Sequence, residues 1–234
     1  MFKEDISERV WEYIQSERYK KHAQIMLADI NTAMENVKAT DEATQIKGAK
    51  RLSYLSRCEL GMGSLVLREW FCDEINRVEL ADMCCIESNS KVLSKLFSTL
   101  KFIHSRYIVH PMWEDYFFTL EKTKEDESNY IQWVLPIVEE CHQASVSIDV
   151  QIEIAGIFAI CRDSRAWDIF NEILPKKSAY CSWATLTFAK YAKYSITERQ
   201  KIDMTRTLEK ILEKVKNPSV QRCALEIKTT IAAV

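Results

Sequence analysis

Asn89-Ser90-Lys91-Val92-Leu93-Ser94-Lys95-Leu96-Phe97-Ser98-Thr99-Leu100-Lys101-Phe102-Ile103 is the stretch that decides the fold class. Val92, Leu93, Leu96, Phe97, Leu100 and Ile103 return every three or four residues, which places them on one face of an α-helix. Asn89 or Ser90 stands where a side-chain oxygen caps the first turn. Working outward, the same period recurs on both sides. Residues 147–162 are apolar nearly all round, which predicts a central, buried helix.

The composition agrees. Only four Gly and four Pro occur in 234 residues. Tight hairpins draw on Gly and Pro, so a sheet protein would lack turn material here. No segment of useful length alternates with period two. The reading is an all-α chain, one domain over residues 1–234, with around ten helices joined by short loops. No Gly-rich phosphate loop is present, and no cofactor is expected.

Along the chain, residues 5–38 read as one long or broken helix. Asp41 is the expected N-cap of a second, which Gly61 and Gly63 close. A further helix covers residues 64–78, followed by a short apolar stretch from Leu80 to Ile86. Pro111 fits a first helical turn. The run from Lys122 to Glu127 reads as a charged loop. Residues 128–143 form a helix that Pro136 is expected to kink or break. Asp163-Ser164 caps residues 165–174, and Pro175-Lys176-Lys177 ends that helix. Residues 178–193, 196–216 and 218–232 complete the series. Four helix starts, at Asp41, Asn89, Ser147 and Asn217, share a cap with a β-branched residue three positions on. Their separations are 48, 58 and 70 residues, so no constant repeat period emerges.

Asn217-Pro218-Ser219-Val220-Gln221-Arg222-Cys223-Ala224-Leu225 resembles the start of a repeat in HEAT-type α-solenoids. Pro136 is similarly placed to the proline of their kinked first helices. The resemblance implies antiparallel helix pairs stacked in a HEAT-like α-solenoid, with an irregular helical bundle as the alternative. It also implies a concave surface suited to a macromolecular partner.

Several constellations bear on chemistry. His110 and Glu114 are four apart, and His104 is near, but a metal needs three or four ligands and nothing else has the spacing. No metal and no catalytic residue is assigned. The eight Cys (58, 72, 84, 85, 141, 161, 181 and 223) show no CxxC and mostly sit in apolar stretches. They read as buried, reduced thiols of a cytoplasmic protein. The amino-terminal residues are charged, with no apolar signal segment, and no apolar run is long enough to span a bilayer. Trp167-Asp168-Ile169-Phe170-Asn171 resembles the Trp-Asp-x-x-Asp stretch of HEAT-fold DNA glycosylases, with Asn171 where that family has its second carboxylate. Against this stands the simpler reading of Trp167, Phe170 and Ile173 as a buried stripe.

Charge is the most usable surface signal. Residues 110–153 hold ten acids and two lysines, a formal −8, and residues 176–222 hold eleven Lys or Arg and four acids, a formal +7. The favoured function is a non-catalytic binding or scaffold protein. Its expected site is Trp113, Glu114, Asp115, Tyr116, Glu125, Asp126 and Glu127, with Trp113 and Tyr116 as aromatic anchors for a basic partner or a basic patch of a second copy. The first alternative is nucleic-acid binding or base repair through Trp167, Asp168, Lys190, Lys193, Arg206 and Lys210. The second is a bacterial-type immunity or inhibitor protein acting through the acidic segment. No membrane partner is expected.

Overall fold

The computed structural model describes residues 8–57, 61, 64–143 and 146–234. Every regular element among them is helical, as the periodicity and the scarcity of Gly and Pro require. None of these helices is long and apolar enough to cross a membrane. Packing divides the chain into two compact units, residues 1–141 and 142–234.

The first unit begins with α1 (Glu8–Gln15) and α2 (Glu17–Val37), separated at Ser16, whose extended backbone and side-chain bond to Tyr19 N–H start the second helix. Then come α3 (Glu42–Leu55), α4 (Leu65–Cys72), α5 (Glu74–Ile86), α6 (Ser90–Ile103), α7 (Pro111–Tyr116) and α8 (Leu120–Gln143). Asp41 and Asn89 cap α3 and α6 as expected, accepting from Thr44 and Lys91 N–H.

The 64–86 region departs from the sequence reading. Asp73 turns extended and caps α5 through Asn76 N–H, so one expected helix ends early and the short apolar stretch becomes part of the next. Residues 122–127 are another correction. They are the opening turns of α8, held by Lys122 reaching Glu125 at 3.2 Å and Asp126 at 2.9 Å. Helix α8 also runs through Pro136 without a break. The carbonyl that Pro136 cannot bond is that of Gln132, and both residues lie on the solvent side. Gly63 and Cys58 lie outside the described residues.

Helices α2 and α3 run antiparallel and very close. A Cβ on Gly48 would lie 2.6 Å from Val37 N and 2.7 Å from Ala33 O. The α6 helix lies parallel to α3, with Ser53 and Ser98 hydroxyls 3.4 Å apart in the core. It continues into a π-helical turn (His104–Ile108), closed by Val109 N–H on His104 O at 3.0 Å. Helix α8 returns antiparallel along α6, with Tyr130 OH donating to Leu100 O and His104 Nε2 3.3 Å from Glu127.

The second unit holds α9 (Ile148–Ile160), α10 (Arg165–Lys176), α11 (Cys181–Ser195), α12 (Glu198–Lys214) and α13 (Pro218–Ala232), with a 3₁₀ turn (Ser178–Tyr180) before α11. Residues 152–160 of α9 are buried without exception, so the apolar run is central to its unit. The α10 and α12 helices are parallel at a constant offset: Gln200 Nε2 donates to Ser164 O at 2.9 Å, and Thr207 Oγ1 to Asn171 Oδ1 at 2.5 Å. Helices α9, α11 and α13 form the facing layer. Antiparallel α12 and α13 are joined through Asn217-Pro218, the expected cap and first-turn proline. Ser147 and Ser164 make no side-chain capping bond, and at α10 it is Asp163 that accepts, from Arg165 N–H at 2.9 Å.

Candidate binding surfaces

Around α7, sequence and structure part over which side chains face the solvent. His110 starts this helix, its Nδ1 accepting Met112 N–H at 3.2 Å. The pairing of His110 with Glu114 is therefore first of all a helix cap with a first-turn acid. Trp113 is wholly buried, its Nε1 donating to Arg106 O at 2.7 Å and its ring packed on Phe117 and Tyr107. It is core and not a surface anchor. The amphipathic spacing of α7 sends Trp113 and Phe117 inward together, which leaves Tyr116 outside at 57% exposure.

Two of the acids are also committed inward. The Arg68 guanidinium, 3% exposed, reaches Asp126 at 2.5 Å, bonds Tyr107 O and lies over the rings of Phe118 and Trp113 at 4.3 and 5.3 Å. Glu127 faces the buried His104. The negative charge of this segment is therefore balanced locally in part, by an arginine from α4. What remains in solvent is smaller: Asp115, Tyr116, Leu120, Glu121 and Glu125, with Glu114 half-buried.

Arg68 escaped the sequence reading. Its signal was present: a lone cation inside Leu65-Val66-Leu67-Arg68-Glu69-Trp70-Phe71 is costly to bury unless paired. The partner, however, lies 58 residues away.

The residues proposed for nucleic-acid contact do not converge. Trp167 is fully buried against Phe188 and Phe170, with Nε1 on Ser195 Oγ at 2.9 Å. No base can stack on it in this fold. Asn171 is spent on Thr207, while Asp168 points to solvent. Lys190 and Lys193 lie on α11, and Arg206 and Lys210 on α12, in different layers of the unit. Arg206 is also 3.6 Å from Asp203.

Of the described thiols, Cys84, Cys141 and Cys181 are core groups as expected, whereas Cys72, Cys161 and Cys223 are partly exposed and Cys85 faces solvent. All seven cysteines among the described residues are free. Burial raises the pKa of Cys72, Cys84, Cys141 and Cys181, the last to about 11. Cys85 is exposed, yet desolvation and then the adjacent Glu140 carboxylate push it to about 11. Raised thiols are poor nucleophiles at neutral pH. No cluster of three or more metal-ligating side chains forms among the described residues.

No protein-family model matches the chain, and no curated protein sequence matches it. Among solved structures, the chain is similar to an engineered protein at 15% identity over 88% of this chain and 99% of the other, with a TM-score of 0.40. It is also similar to an archaeal HEAT-like repeats protein from Thermococcus onnurineus NA1, at 12% identity over 96% of each chain, with a TM-score of 0.36.

Proposed function

We propose that the chain is a non-catalytic binding or scaffold protein of the cytoplasm that holds a basic protein partner on the exposed corner between α7 and α8. The observation that carries this reading is Tyr116, an aromatic ring left 57% exposed among the carboxylates of Asp115, Glu121 and Glu125. A large exposed ring on a surface where carboxylates outnumber Lys122 and Lys124 offers an aromatic anchor to a basic partner. The corner is also preorganised. Trp113, Phe117 and the Arg68–Asp126 pair fix the backbone beneath it, so little order is lost on binding. Supporting the non-catalytic part of the reading, His110 caps α7, His104 faces Glu127, and the thiols with shifted pKa values are all raised.

The experiment is affinity capture from extract of the cells that make the protein, with and without nuclease, using wild type, Tyr116→Ala and the triple charge reversal of Asp115, Glu121 and Glu125 to Lys. Asp126 and Glu127 are left intact because reversing them would set a cation against Arg68 and remove the partner of the buried His104, disturbing the fold. A basic protein captured by wild type and lost from both variants supports the reading. An unchanged set of captured proteins overturns it.

A further inference from the structure

The second unit presents a surface of opposite character. On α11, Leu186, Ala189, Lys190, Lys193 and Tyr194 form an outward stripe at helical spacing, and Leu186 is 78% exposed. On the adjacent α13, Arg222, Leu225, Glu226 and Thr229 line the same groove as Ala189, with Leu225 at 56% exposure. No acid occurs in α11, and Glu226 is the single acid of α13. Lys193 and Arg222 make no ion pair among the described residues. Several other cations of this unit are matched: Lys176 with Glu172, Lys177 with Asp149, Lys201 with Glu198 and Lys228 with Glu209.

One end of the stripe carries a further cation held at a backbone penalty. Arg162, at φ 59°, is the one described non-glycine residue at positive φ. Its guanidinium lies 4.9 Å from the Tyr194 ring, and Lys193 Nζ lies 5.0 Å from the same ring. The exposed faces of α11 and α13 and the adjoining end of α9 thus carry four cations, Arg162, Lys190, Lys193 and Arg222, and an exposed tyrosine against the single acid Glu226, beside a groove lined by Ala189, Leu225 and Thr229.

We infer that this α11/α13 groove is a docking site for an acidic amphipathic helix of a partner protein. Charge complementarity sets the sign: cations on the rim want carboxylates. The aliphatic floor sets the class. Leu186 and Leu225 gain from burial under apolar anchors, and a phosphate backbone offers none. Helix is favoured over strand because α11 and α13 satisfy their own backbones, so an extended peptide would find no free edge to pair with. A helix brings its hydrogen bonds with it. Leu186 to Tyr194 spans about 12 Å along α11, enough for anchors at i, i+3 or i+4, and i+7. The groove shares no residue with the α7–α8 corner, so either assignment can fail alone.

The test uses the full chain and three labelled probes: a peptide of about four helical turns with Leu on one face and Glu on the other, its twin with every Glu replaced by Lys, and a short DNA duplex. Fluorescence anisotropy should show the Glu peptide bound at least about tenfold more tightly than the Lys twin. Leu186→Asp with Leu225→Asp should abolish that binding without lowering the melting temperature, since both side chains are already in solvent. Reversing Lys190, Lys193 and Arg222 to Glu should invert the preference between the two peptides. Equal binding of both peptides, no binding of either, or undiminished binding to the variants would overturn the inference. Tighter binding of the duplex would reassign the groove to nucleic acid. Self-association of the chain, lost in the double Asp variant, would reassign it to a second copy.

Discussion

Arg68 and Asp126 lie 58 residues apart in sequence and 2.5 Å apart in space, and the pair joins α4 to the first turns of α8. The guanidinium is flanked by the rings of Phe118 and Trp113 and also bonds Tyr107 O in the π-helical turn. One cation therefore ties together α4, the π-helical turn, the aromatic core under α7, and α8. Arg68→Ala leaves the nearly buried Asp126 with Lys122 alone as its cation partner and frees the Tyr107 carbonyl. The expected loss is about 3–5 kcal/mol, the usual consequence of breaking a buried pair. Urea unfolding monitored by circular dichroism measures it. A change below about 1 kcal/mol would mean that the pair behaves as a surface bridge.

The tryptophans separate stability from binding. Trp113→Ala and Trp167→Ala each remove a fully buried ring and its indole hydrogen bond, so each should lower unfolding free energy by about 3–5 kcal/mol. Asp168→Ala, on the exposed side of α10, should stay within about 0.5 kcal/mol of wild type. Urea unfolding of the three variants gives the comparison. If Trp167→Ala kept full stability while losing a nucleic-acid contact, the buried placement would be wrong.

How far sequence alone reached can be judged from particular residues. Asn217-Pro218 and Asp41 revealed their helix starts because capping is local chemistry within four residues. Asp73 caps by the same chemistry, but it sits inside an apolar stretch that periodicity alone joins up. Residues 122–127 looked like a loop because dense charge resembles a solvated segment, although Lys122, Glu125 and Asp126 have the spacing that supports a helix. Trp113 was misplaced for a different reason: whether an aromatic ring in a short helix faces core or solvent depends on what packs over it. That neighbour is Arg68, a tertiary fact that no local pattern carries.

Gly48 offers a test of the α2/α3 contact. A methyl group there would fall under 3 Å from the backbone of Ala33 and Val37, which cannot swing aside as a side chain can. Gly48→Ala should destabilise by about 1–3 kcal/mol despite alanine's better helix propensity. Gly61 is the control, since a methyl there meets nothing within 4 Å and its φ is not positive. Gly61→Ala should be neutral or stabilise by about 0.4–1 kcal/mol, by restricting the unfolded chain. Denaturant midpoints of the pair, read together, decide it; equal shifts would show that α2 and α3 sit farther apart.

The buried thiols predict weakening in alkali. Burial holds the folded-state pKa of Cys84, Cys141 and Cys181 above the usual thiol value. Below the unfolded pKa, both states keep the proton and stability is unaffected. Above about pH 8.5–9 the unfolded chain ionises first, so stability falls as pH rises towards the folded values. Each thiol adds a slope of up to about 1.4 kcal/mol per pH unit in that window. Cys181→Ala should flatten the curve between about pH 9 and 11 while lowering the plateau slightly. Chemical denaturation at a series of pH values measures this. A flat profile up to pH 11 would show that the thiols are not buried in the folded state.

Arg162 closes α9 in a way that makes strain measurable. Asp163 N–H bonds Phe158 O at 2.9 Å and Arg162 N–H bonds Ala159 O at 3.0 Å, the two hydrogen bonds of a Schellman motif. The residue at the turning point needs positive φ, and glycine is the usual occupant. Arginine there pays about 1–2 kcal/mol in steric strain. Its stacking over Tyr194 returns about 0.5–1 kcal/mol at an exposed site. Arg162→Gly loses the stack and sheds the strain, so it should match or exceed wild-type stability. Arg162→Ala loses the stack and keeps the strain, so it should be the least stable of the series, by about 0.5–1 kcal/mol relative to wild type. Arg162→Asn should fall between them, because asparagine tolerates the left-handed region. Tyr194→Ala should then weaken the wild type more than the Arg162→Gly background, where only the Lys193 contact with that ring is lost, and the difference is the double-mutant-cycle measure of the stack. If the alanine variant were the most stable of the series, the turn would not hold positive φ, and the cation would not be retained at the expense of stability.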